Sequence, residues 1–147
     1  KRIIIVSSAP QIRFPDCYGI DMSRMKDFIA FRAAVQLIED NGGMDNLLER
    51  VYDKCKAYPE SEENYVKEIY APFTDQEISD KIASIITSEN IKAGVHVIYQ
   101  TVDNLHSSCP AHSGDWYFTG NFPTKGGIRV VKKAFVNYME GKEERAY

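Results

Sequence analysis

No apolar run in this 147-residue chain approaches the roughly 20 residues needed to cross a bilayer, so no membrane partner is expected. Basic clusters are missing too. With a formal net charge of -3 and no basic run, the Lys132-Lys133 pair being too little, the chain lacks the grouped cations that neutralise phosphates, which argues against nucleic acid as a main partner. Cysteine is scarce: Cys17, Cys55 and Cys109 are odd in number, widely spaced and without a C-x-x-C, so free thiols in a reducing compartment are expected rather than a disulfide framework. No charged segment followed by an apolar one precedes the first strand candidate, and the expected location is cytoplasmic. Internal repeats and low-complexity linkers are likewise absent.

What remains is an ordinary globular composition, 44% apolar and 27% charged, of a length that suits one domain or part of one. Ile3, Ile4, Ile5 and Val6 form a short branched apolar run without alternation, the pattern of a strand buried on both faces inside a parallel sheet. Residues 93–99 supply the only other good strand candidate. Two strands cannot cover a doubly buried one, so the expectation is a C-terminal piece of a longer polypeptide. The segment after the first strand, residues 10–22, holds two prolines and a glycine and reads as an ordered loop at the strand's carboxyl end, where open α/β sheets place ligands.

Helical signals fill most of the rest. Ser23 is placed to cap a helix running to about Asp40, stopped by Asn41-Gly42-Gly43. A second helix is expected from Asp45 to near Pro59, and a short helical stretch over residues 65–70. Thr74 and Glu77 present a capping box for a third main helix ending near Asn90, with Ile78, Ile82, Ile85 and Ile86 on its apolar face. Thr101 caps a short helix before a polar loop over residues 107–115. A final helix is expected over residues 127–140, with a frayed tail beyond it. His106, Cys109 and His112 are metal-ligating types, and Asp103 or Asp115 would complete four ligands, but the spacing fits no standard zinc module and a solvated loop is the favoured reading.

Two separated motifs carry a family resemblance. S-x-A-P-x-I-R-F-P-x-x-Y-G-I-D-M, at residues 7–22, resembles the segment that follows the phosphoribosyl pyrophosphate loop of glutamine amidophosphoribosyltransferases. F-T-G-N-F-P-T, at residues 118–124, resembles the F-T-G-x-Y-P-T of the same family's C-terminal region. The resemblance covers about residues 1–40 and 94–124. It implies an α/β fold: a fragment of a type I phosphoribosyltransferase-like parallel sheet followed by a mostly helical C-terminal region. The whole of residues 1–147 then reads as one C-terminal portion of that domain, with about 45–92 as a helical insertion.

The activity implied for the parent is conversion of glutamine and phosphoribosyl pyrophosphate to phosphoribosylamine, glutamate and pyrophosphate in de novo purine synthesis. The family's N-terminal cysteine nucleophile and substrate loop are not among these residues, so the chain alone is expected to be inactive. By the likeness, Phe14 or Tyr18 packs against a sugar or base and Asp21 lies near the ribose or pyrophosphate. The plainer alternative is that these side chains only brace a tight loop. Phe28 matches a position lining the apolar ammonia channel, where a nonpolar wall carries NH3 and keeps water out; its plainer role is core.

Mg2+ is implied for the parent, held by substrate phosphates rather than by residues here. The cluster-bearing branch of the family has cysteines at positions matching Asp16, Gly114 and Tyr117, so no iron-sulfur cluster is expected. Purine nucleotides as inhibitors and a homo-oligomeric parent also follow from the resemblance. The rival reading is a noncatalytic regulatory or assembly module that keeps the scaffold and uses residues 45–92 for partner contact.

Overall fold

The computed structural model describes residues 1–15, 22–112 and 114–146. Among them lie two strands, six helices and two 3-10 turns. Strand β1 (Arg2–Ser7) pairs in parallel with β2 (Gly94–Tyr99), from Arg2 opposite Gly94 to Ser7 opposite Tyr99. A parallel pair requires a long crossover. Here the crossover carries α1 (Ile29–Asp40), α2 (Leu47–Ala57) and α3 (Asp75–Ile86). After β2 come α4 (Val102–Ser108), α5 (Trp116–Thr119) and α6 (Lys125–Met139).

Local capping explains several boundaries. Thr74 and Glu77 form the expected reciprocal box at the start of α3: the Thr74 hydroxyl accepts from the Glu77 amide and the Glu77 carboxylate accepts from the Thr74 amide. Thr101 caps α4 by accepting from Asn104 N, and Thr124 caps α6 by accepting from Gly127 N. Other boundaries differ from expectation. Ser23 is buried and caps nothing. Instead Met25–Asp27 form a 3-10 turn, and Phe28, extended at φ -84° and ψ 116°, precedes α1. Helix α3 stops at Ile86, short of Asn90, where the Thr87 hydroxyl donates to Ala83 O. The tail over residues 141–146 is not frayed: Lys142 N donates to Asn137 O, Asn137 Nδ2 donates to Glu144 O, and Ala146 is buried.

The core lies among the helices. Phe31 meets Tyr138 edge-on at 4.8 Å and Phe135 at 6.2 Å, while Val51, Val66, Ile69 and Ile78 are fully enclosed. Residues 45–92 therefore contribute side chains to the same core as α1 and α6, and α3 packs on both α1 and β2. Each such aliphatic side chain contributes roughly 1.5–3 kcal/mol of burial. The sheet behaves otherwise than the sequence suggests. Ile3, Ile4, Ile5 and Val6 are all exposed: α3 packs on β2, and among the described residues β2 is the only strand paired with β1.

Candidate functional site

The segment leaving β1 does not wander over the surface. Arg13 N and Phe14 N both donate to Tyr117 O, at 2.9 and 3.1 Å. The Phe14 ring, 2% exposed, stands edge-on to Tyr70 at 5.3 Å and lies under Gly120, whose φ is +73°. Asn64 Nδ2 donates to Gly120 O at 3.0 Å. The Tyr70 hydroxyl donates to Arg13 O at 2.6 Å; burial pushes this phenol far above its ordinary value, with Arg13 opposing, so it stays a donor.

A polar knot continues from there. The buried side chain of Gln11 donates through Nε2 to Asp75 O and Ser79 Oγ, each at 2.8 Å, and accepts from Arg13 Nη2 at 2.7 Å. Arg13 Nη2 also donates to Asp75 Oδ1 at 2.5 Å, and its guanidinium lies 5.3 Å over the Tyr70 ring. These bonds fasten residues 11–14 to the amino end of α3, so that buried polar groups are satisfied as their burial demands.

Two hollows meet at the Arg13–Asp75 pair. One, of about 160 Å³, lies at the carboxyl end of β2 and is lined by Gln11, Gln76, Ser79, Tyr99, Gln100 and Thr101 among others. The other, a more open groove of about 470 Å³, has Phe14, Tyr70, Phe73 and Phe118 on its wall. Arg13, Asp75, Val102 and Phe118 border both. This is the side of a parallel sheet where ligands collect.

Of the residues singled out by sequence, Phe14 sits in this wall with its ring mostly in the core. Phe28 is 2% exposed and belongs to the core cluster. Tyr18 and Asp21 lie outside the described residues, as does Cys17. His106 Nε2 pairs with Asp115 Oδ2 at 2.9 Å on the surface. Among the described residues no three His, Cys, Asp or Glu side chains are grouped to hold a metal ion. Cys55 and Cys109 are free thiols, the first buried and the second exposed. Sequence reasoning missed Gln11, Asn64, Tyr70, Asp75 and Ser79, because Gln11 and Ser79 are 68 positions apart and no local pattern announces a bond of that range.

Three curated proteins resemble part of this chain. The amidophosphoribosyltransferases of Haemophilus influenzae, Pasteurella multocida and Escherichia coli are each 42% identical to it over 48 residues. That stretch is 33% of this chain, and it spans only 10% of each relative's length. No family model matches the chain, and no solved structure matches it.

Proposed function

We propose that this chain is the C-terminal part of the phosphoribosyltransferase domain of a glutamine-dependent amidophosphoribosyltransferase, which joins the nitrogen of glutamine to phosphoribosyl pyrophosphate at the entry to purine synthesis. The observation that carries the reading is the docking of the first motif on the second: the Phe14 ring of I-R-F-P lies against the glycine of F-T-G, and Arg13 N and Phe14 N donate to the carbonyl of Tyr117, the residue just before F-T-G. Separate motifs that pack as one unit are more specific than either alone. The similarity to three amidophosphoribosyltransferases adds partial support. The uncovered faces of β1 suit a sheet that continues with strands from elsewhere in the parent.

On this reading Asp21 faces the ribose or pyrophosphate, Tyr18 and the groove edge of Phe14 line the substrate wall, and Phe28 belongs to an apolar ammonia path. Mg2+ enters with the substrate's phosphates, which would hold it in the parent. The nucleophile that hydrolyses glutamine and the loop that grips pyrophosphate belong to other parts of the parent, and the 147 residues turn over neither substrate alone. The parent is proposed as a cytoplasmic homo-oligomer open to inhibition by purine nucleotides, without an iron-sulfur cluster.

The test uses the intact protein that carries this chain, supplied with glutamine, phosphoribosyl pyrophosphate and Mg2+. Phosphoribosylamine and glutamate are the expected products, and Asp21→Asn should lower phosphoribosylamine formation while glutamine hydrolysis stays measurable. Absence of phosphoribosylamine from the wild type overturns the function. Unchanged synthesis by Asp21→Asn removes that residue from the site.

A further inference from the structure

We propose that the two-lobed cleft at the carboxyl end of β2 binds a small zwitterion, an α-amino acid with a short polar side chain, clamped between Arg13 and Asp75. The two partners of this ion pair are held very differently. The Arg13 side chain is 16% exposed and fixed by Gln11 and by the Tyr70 ring. The Asp75 side chain is 69% exposed, and both the Gln11 bond that fastens the loop to α3 and the bond from Ser79 within α3 run to the Asp75 backbone carbonyl, not its carboxylate. The carboxylate can therefore rotate away while the Gln11 and Ser79 bonds to the Asp75 carbonyl stay in place.

Opening the pair leaves a fixed guanidinium facing the cleft with a carboxylate at its mouth. A ligand carboxylate satisfies the first and a ligand ammonium the second, so the local charge balance is kept. A simple anion would instead meet Asp75 at close range, and a simple cation would meet Arg13; like charges brought together disfavour both. Side-chain preference follows from the inner lobe. Gln76 donates to Asp80 and Gln100 accepts from Thr101 N, which leaves the Gln76 carbonyl and the Gln100 amino group to meet a hydroxyl or amide in a hollow of about 160 Å³. The proposal goes beyond the transferase function and does not rest on it, although the outer lobe of the cleft shares the Phe14 wall with the substrate site proposed above.

Isothermal titration calorimetry on the intact protein tests this with L-serine and L-asparagine against acetate and methylammonium. The amino acids should bind, and acetate and methylammonium should each bind at least about tenfold more weakly, the loss expected for one charge-assisted hydrogen bond. Asp75→Asn should weaken L-serine binding about tenfold or more and leave acetate no weaker, with an unchanged circular dichroism spectrum as the check on folding. Acetate matching L-serine, or neither amino acid binding at millimolar concentration, overturns the proposal. So does amino-acid binding that Asp75→Asn leaves untouched, since it places the ligand at some other site of the intact protein. None of these readouts depends on transferase activity.

Discussion

A β-carbon placed on Gly120 would lie 2.8 Å from Cζ of Phe14 and 2.8 Å from Nδ2 of Asn64. Phe14 belongs to the first motif and Gly120 to the second, so their closeness is where the two halves of the resemblance meet in space. Gly120→Ala should cost twice over: its φ of +73° is unfavourable for any residue with a side chain, and the added methyl must displace a buried aromatic ring. The expected loss is about 2–4 kcal/mol, read as a lower midpoint in urea denaturation. A change below about 0.5 kcal/mol, the range of ordinary surface substitutions, would show that the motifs do not press together as described.

Lys132 is a second point where a single side chain holds distant segments. It is 2% exposed, and its Nζ donates to Tyr58 O at 2.9 Å, Pro59 O at 3.3 Å and Ser61 O at 2.6 Å, over the Tyr65 ring at 5.2 Å. Burial holds its pKa below the ordinary lysine value. Lys132→Met keeps the stem but strands three carbonyls, so a loss of about 2–4 kcal/mol is expected. Lys132→Arg should not restore stability, because a planar fork cannot serve three converging carbonyls as an ammonium does. Thermal denaturation of both variants beside the wild type measures it.

What could be read from the sequence was whatever rests on neighbours along the chain. The Thr74–Glu77 box, the Thr101 cap and the turn at Asn41-Gly42-Gly43 are local, and all three were legible. Helix α1 was expected too early, since Ser23 looks like a cap in isolation but is buried in the folded chain, and the extended Phe28 separates the 3-10 turn from the helix. The four residues of α5 were missed because one turn ending at Gly120 carries no periodic signal. The knot of Gln11, Arg13, Asp75 and Ser79 was illegible for a different reason: it depends on α3 packing beside residues 11–14, a tertiary event that leaves no mark on spacing.

The alkaline limb of stability should report two buried acids. Burial pushes the Cys55 thiol up from 9.0 to about 11, with Lys132 partly opposing, and raises the Tyr70 phenol. In both cases the native chain keeps its proton while the unfolded chain loses it. The stabilisation is thus complete below about pH 9 and drains away as pH rises through 11 for Cys55, with Tyr70 extending the decline. The Cys55 part is on the order of 2 kcal/mol. Cys55→Ala should be somewhat less stable at pH 7 because of the cavity, yet show a shallower fall between about pH 9 and 11. Urea denaturation across that range compares the slopes, and equal slopes would exclude Cys55 as the linked group.

The outer face of the sheet offers the last test. Ile4 is 57% and Val6 70% exposed, and Ile98, opposite Val6 in register, is 52% exposed. Apolar side chains at an unpaired strand edge invite association. The isolated chain should therefore self-associate in sedimentation velocity, and replacing Ile4 and Val6 together by lysine should reduce that association. Because neither side chain is enclosed here, the double variant should shift stability of the isolated chain by no more than about 0.5 kcal/mol per site. In an intact protein whose further strands cover β1, the same pair of lysines would be forced into a dry interface and should destabilise by several kcal/mol. A strong loss of stability already in the isolated chain would mean that β1 is covered by these residues themselves, and a negligible loss in the intact protein would mean that nothing lies over it.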